Sequence, residues 1–167
     1  EGGTDSERVR LLSDGRADVL PEAFILRTPC SPHEAARIDG VTISIERLAL
    51  PTGDGPLVVE GAGGVLVPFA DNLLAADLFA AWELPVILVA RTSLGTINHS
   101  LLSLEALNAR KIPVHGIVFM GDESRASETA ITRLGGTRHL GRLPMLDPLT
   151  ADTLAGAFRD HIRTDLL

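Results

Sequence analysis

The chain has 167 residues, 45% hydrophobic and 22% charged, the balance of an ordinary globular protein with one sizeable core. A formal net charge of −7, five Phe, one Trp and no Tyr offer neither a basic surface for a phosphate backbone nor a stacking platform for bases, so no nucleic-acid partner is expected, although a small local anion site stays compatible. The single cysteine, Cys30, excludes an intrachain disulfide and fits a cytoplasmic protein, and the sequence has no zinc-ligand spacing, no signal peptide and no apolar run long enough for a membrane.

In chain order, Asp5–Leu12 and Ser31–Ile38 read as helices around a Pro-rich turn. Asp5, in Gly3-Thr4-Asp5-Ser6-Glu7, reads as a helix cap or a first-turn acid. Ser31 is a good N-cap and Pro32 suits the first helical position, which puts His33 in the first turn as a surface residue. Leu57–Glu60 (LVVE), Val86–Ala90 (VILVA) and Gly116–Phe119 (GIVF) are apolar without alternation, the pattern of parallel strands buried on both faces. Helical spacing is found in Asp71–Trp82, with Asp71 as cap, in Asn98–Arg110, in Ser127–Leu134 and in Ala151–Ile162. No repeat or linker interrupts the alternation. It predicts one α/β domain over residues 1–167 built on a parallel sheet, with ligands beyond the carboxyl ends of the strands.

Two strand ends carry candidate chemistry. In Val58–Pro68 (VVEGAGGVLVP), a strand ends in Glu60 and runs into Gly61-Ala62-Gly63-Gly64. Such a run lets backbone N–H groups approach an anion, while the adjacent carboxylate can hold Mg²⁺. The plainer alternative is a Gly-rich turn with a solvated Glu. In Arg91–His99 (RTSLGTINH), Gly95 permits close backbone approach, and Thr96 or Asn98 caps the next helix, whose N-terminus favours anions. Taken alone, that segment reads first as a well-capped βα loop. His115, His139 and His161 show no ligand spacing, and no Gly-x-Ser-x-Gly elbow is present.

Asp5–Arg10 (DSERVR), Ser31–His33 (SPH), Glu60–Gly64 (EGAGG), Leu94–His99 (LGTINH) with Leu101, Leu104 and Leu107, and Leu140–Pro144 (LGRLP) occur in this order over nearly all of residues 3–160. In these motifs the chain resembles dethiobiotin synthetases. The resemblance implies an α/β P-loop NTPase-like fold of the SIMIBI type and a homodimer. It implies an ATP- and Mg²⁺-dependent ligase of biotin biosynthesis. Diaminopelargonate (7,8-diaminononanoate), CO₂ and ATP would give dethiobiotin, ADP and phosphate, through a carbamate and its mixed anhydride with phosphate. By the same resemblance Asp5 and Glu60 would be metal ligands. Gly63, Leu94, Gly95 and Asn98 would bind the substrate, the last three reaching its carboxylate tail across the dimer interface. Glu60, Gly61, Met120, Gly121, Leu143, Pro144 and Met145 would bind the nucleotide, with the stretch from Leu140 to Leu149 around the adenine.

Two departures stand out. After Gly116–Phe119 many members of the family place an Asn that reads adenine; here the matching residue is Met120, followed by Gly121 and Asp122. Nothing in the sequence matches Gly-x-x-x-x-Gly-Lys-[Ser/Thr], and Lys111 is the only lysine. The catalytic P-loop lysines are therefore assigned to no residue. The chain, which does not begin with Met, is expected to lack an N-terminal P-loop strand and helix and to be catalytically incomplete as it stands. The alternatives are a P-loop enzyme like the cobyrinate amidating synthetases and a non-catalytic binding module without a P-loop.

Overall fold

The computed structural model describes residues 4–53 and 55–167. Their elements in chain order are α1 (Asp5–Leu12), α2 (Pro32–Asp39), a 3₁₀ turn (Glu46–Leu48), β1 (Pro68–Ala70), β2 (Leu73–Leu74), α3 (Ala75–Trp82), β3 (Val86–Arg91), α4 (Thr96–Ala109), β4 (Val114–Met120), α5 (Arg125–Leu134), β5 (His139–Leu143), α6 (Ala151–His161) and a second 3₁₀ turn (Thr164–Leu166). They group into two compact units. One holds 4–22, Ile87–Ser100 and His115–Leu167; the other holds Ala23–Val86 and Leu101–Val114.

The first unit is organised by a sheet in the order β3-β4-β5. Thr92 N–H donates to the Met120 carbonyl at 3.0 Å just past the ends of β3 and β4, and β4 pairs β5 in parallel. Parallel neighbours need crossover connections, and α4 and α5 supply them. Ile117, Phe119, Ile131 and Leu140 are fully buried and make the core with Ala90, Ala157 and Ile162. On β4 and β5, Ile117 faces His139 but Val118 faces Gly141, so Leu140 is an extra residue that bulges β5. Ile162 bridges back to Gly141, and Arg163 N–H donates to the Leu140 carbonyl at 2.8 Å, closing the far edge of β5. In α1, Thr4 accepts the Glu7 N–H and Glu7 accepts the Thr4 N–H, a reciprocal capping box. Asp5 is thus a first-turn acid and Thr4 is the cap.

In the second unit Leu78, Leu104 and Leu107 are buried, together with Ala35, Ala36, Ala75, Ala76 and Ile112. β1 and β2 form a small antiparallel hairpin about Asp71 and Asn72. The Trp82 indole donates to the Leu48 carbonyl at 2.8 Å, and Phe79 packs on Trp82 with ring centroids 5.8 Å apart.

Three sequence expectations are corrected here. Leu57–Glu60 forms no strand, and Val58 is 94% exposed. An apolar run becomes a strand only when a neighbour completes its ladder, and none does so among the described residues. Asp71 does not cap a helix: Asp71 and Asn72 turn the hairpin, and α3 starts at Ala75, where the Asp77 carboxylate accepts the Leu74 N–H at 2.9 Å. Helix α4 begins at Thr96, so Asn98 lies inside its first turn and is not the cap. Strand β5, whose Gly141 and Arg142 hide its pattern, was not foreseen at all.

Candidate functional site

In the second unit, Glu60 is exposed at the mouth of the glycine loop. Gly63 has φ +81, and a Cβ there would lie 2.9 Å from the Val67 side chain. The turn is closed by the Val67 N–H donating to the Gly64 carbonyl at 3.0 Å. Only glycine meets both demands, so the loop keeps its shape and its exposed backbone. Gly61 is held close as well, since its added Cβ would sit 2.9 Å from the Phe79 ring.

In the first unit, the chain leaves β3 and turns at Gly95, which has φ +93 and open space around it. Thr96 and Ser100, one turn apart at the start of α4, are buried with their hydroxyls 3.4 Å apart. That anchoring leaves Leu94, Gly95 and Asn98 on the exposed side, with Leu94 entirely uncovered. All three predicted substrate contacts of this loop are therefore accessible.

The next strand end holds Met120 and Gly121. Parallel register puts Met120 beside Leu143, and the Gly121 N–H donates to the Leu143 carbonyl at 2.9 Å. Gly121 has φ +120, and a Cβ would lie 2.5 Å from Thr92 Oγ1. Met120 is 41% exposed and Met145 is exposed beyond Pro144. Met120, Gly121, Leu143, Pro144 and Met145 are thereby gathered at neighbouring strand ends. The motif reading missed what lies behind them. Arg142 donates from its guanidinium to the Gly121 carbonyl at 2.8 Å, and its Nε lies 3.8 Å from the buried Glu128 carboxylate. Glu128 also accepts the Ser124 N–H at 3.1 Å and lies 2.9 Å from His139 Nε2. The helical spacing begins at Ser127 in the sequence, whereas α5 starts at Arg125, which puts Glu128 one turn past Ser124.

Asp5 is exposed in the first turn of α1. Among the described residues no three His, Cys, Asp or Glu side chains come together to hold a metal ion. Mg²⁺ does not require such a cage. It is held by one or two carboxylates, and Asp5 in the first unit and Glu60 in the second are each exposed and of that donor type.

A family described as an AAA domain matches residues 1–153. The chain is 58% identical over 162 residues to the ATP-dependent dethiobiotin synthetase BioD of Agrobacterium fabrum, covering 96% of this chain and 76% of that protein. The chain belongs to the dethiobiotin synthetase family. Proteins of the same name from Rhizorhabdus wittichii and Rhodopseudomonas palustris are 59% and 56% identical, over 93% and 99% of the chain and 75% and 78% of their own lengths. Membership accords with the α/β, P-loop NTPase-like parallel sheet of the first unit. Among the described residues no helix is long and apolar enough to cross a membrane.

Proposed function

We propose that the protein carrying this chain is an ATP-dependent dethiobiotin synthase, a ligase that closes a cyclic urea on 7,8-diaminononanoate. One amine adds to CO₂ and loses a proton, giving a carbamate. A carbamate oxygen takes the γ-phosphoryl group of ATP and ADP leaves. The second amine then attacks the carbonyl carbon, the bond to phosphate breaks, and the ring closes. The observation that carries this reading is 58% identity over 96% of the chain to a protein of that name. The cobyrinate-type and non-catalytic alternatives have no comparable support.

In this reading the chain's own residues bind and orient, as suits a reaction catalysed by positioning and charge stabilisation. Glu60 and Asp5 hold Mg²⁺, which when bound draws charge from the phosphate oxygens. The Gly63 backbone faces the carbamate or substrate carboxylate, with Gly61 beside the nucleotide. Leu94, Gly95 and Asn98 grip the carboxylate tail of a substrate in the other subunit of a homodimer. Met120, Gly121, Leu143, Pro144 and Met145 surround the adenine. The exposure of Glu60, Leu94, Asn98 and Met145 supports these roles. Residues 1–167 act as one dethiobiotin synthetase-like domain, in the cytoplasm. No residue is assigned to the phosphoryl transfer itself.

The purified protein, given 7,8-diaminononanoate, bicarbonate, ATP and Mg²⁺, should yield dethiobiotin and ADP in equal amounts by mass spectrometry. ADP formed without dethiobiotin, or no turnover of a folded, nucleotide-bound protein, would overturn the proposal.

A further inference from the structure

The turn that ends β4 is held from both sides. The Gly121 N–H donates to the Leu143 carbonyl at 2.9 Å, and the Met120 carbonyl accepts the Thr92 N–H at 3.0 Å. The Gly121 carbonyl is taken by the Arg142 guanidinium at 2.8 Å. Arg142 is itself oriented from behind. Its side chain is only 21% exposed, and its Nε lies 3.8 Å from Oε1 of Glu128. The Glu128 carboxylate, 10% exposed, is fixed by the Ser124 N–H at the start of α5 and by His139 Nε2 on β5. A charged carboxylate is retained at such burial only when it is paired and hydrogen-bonded, and here three partners from two elements do so. The planar fork of an arginine can serve a carbonyl and a carboxylate at once, which a lysine ammonium cannot do in the same geometry.

We infer that Arg142, braced by Glu128, is a positioning residue for the nucleotide base: it fixes the Met120–Gly121 turn whose exposed edge meets the adenine. This rests on the proposed nucleotide role of that turn. The Met120 side chain offers a base no strong hydrogen-bonding group. Discrimination at this turn then falls to the shape and position of its backbone, which count only when they are fixed. The Arg142–Glu128 brace supplies that fixity from behind the turn.

The test is steady-state kinetics on the whole protein, with ATP, GTP and CTP varied against saturating diamine. Arg142→Met should raise KM for ATP about tenfold, the weight of a charge-assisted hydrogen bond, and narrow the preference for ATP over GTP and CTP. KM for the diamine should stay as it is. Arg142→Lys, which keeps one donor for the Gly121 carbonyl, should restore part of the preference. A purely structural Arg142 would lower the melting temperature and leave KM for ATP and the nucleotide preference unchanged, and that result overturns the inference. If Arg142→Met does not fold, Arg142→Lys and Glu128→Gln decide on the same two readouts. Met120→Trp separates the inference from the reading beneath it. If Met120→Trp raises KM for ATP and the Arg142 variants do not, the brace fails and the base site stands. If neither changes it, the base site is elsewhere and both fall.

Discussion

Glu60 ends an apolar run in the sequence and Gly121 follows one, but different physical constraints act on them. Glu60 is exposed, so its identity is not demanded by packing. If its charge holds Mg²⁺, Glu60→Gln should leave the melting temperature unchanged and lower turnover about 100-fold, or ~2.7 kcal/mol of transition-state stabilisation. Normal turnover of the variant at limiting Mg²⁺ would remove Glu60 from the metal site. Gly121 is the opposite case. A Cβ there would meet Thr92 Oγ1 at 2.5 Å, and its φ of +120 is one that L side chains rarely adopt. Gly121→Ala should cost ~1–3 kcal/mol in urea unfolding. Adding Thr92→Ala should recover only part of it, because the contact is relieved and the backbone strain is not. Full recovery would mean that the contact alone matters. Met120 carries a third expectation. With no amide side chain to read adenine, a hydrogen bond worth about 0.5–1.5 kcal/mol is forgone, so kcat/KM should favour ATP over GTP or CTP only modestly. A preference above ~10³-fold would show that other groups read the base fully. The place of Met120 at a strand end follows from the apolar run before it. Arg142 and Glu128 were not legible, because a brace assembled from one strand and a helix start leaves no spacing in the sequence.

Among the elements, legibility followed local signals. Asp5–Leu12 is read with its observed ends from the acid at Asp5, and the structure adds the Thr4–Glu7 capping box that fixes its start. Leu57–Glu60 was misread because an apolar run says nothing about whether a ladder partner is present. Asp71 was misread because one Asp serves a cap or a turn equally well, and the choice was made by β1 and β2 pairing around it. Helix α2 shows a local signal with a measurable consequence. Its last residue, Asp39, accepts a hydrogen bond from the Thr28 hydroxyl at 2.6 Å and others from the Arg27 and Thr28 N–H groups. The Thr28 hydroxyl first, then the Arg27 N–H, holds the Asp39 carboxyl below its ordinary range. A carboxyl lowered on folding contributes stability that is fully present above the unfolded value, about 3.9, and is lost as pH falls through the lower folded value. Urea midpoints measured from pH 6 down to pH 2.5 should therefore fall less steeply in Asp39→Asn than in the parent. Parallel slopes would mean that the bonds to the 27–28 segment persist without the charge.

At the scale of the whole molecule the question is whether one chain makes one site. The loop after β3 is built so that its buried side, Thr96 and Ser100, anchors it, while Leu94 and Asn98 face outward. An apolar side chain as exposed as Leu94 gains nothing from its own fold, and burial against another surface would return ~1.5–3 kcal/mol. That accords with the proposed homodimer, in which Asn98 serves the neighbour's substrate. Complementation decides it. A chain with Glu60→Gln and a chain with Asn98→Ala should each be nearly inactive alone. If sites are shared, a mixed dimer holds one site with both lesions and one with neither. Random exchange of equal amounts makes half the dimers mixed, so activity should recover to about a quarter of the parent's. If each site lies within one chain, every site in the mixture carries one lesion and nothing is recovered. Exchange itself is checked by pulling down one tagged chain and detecting the other. Proven exchange without recovered activity would place Asn98 in its own subunit's site and leave Leu94 exposed for another reason.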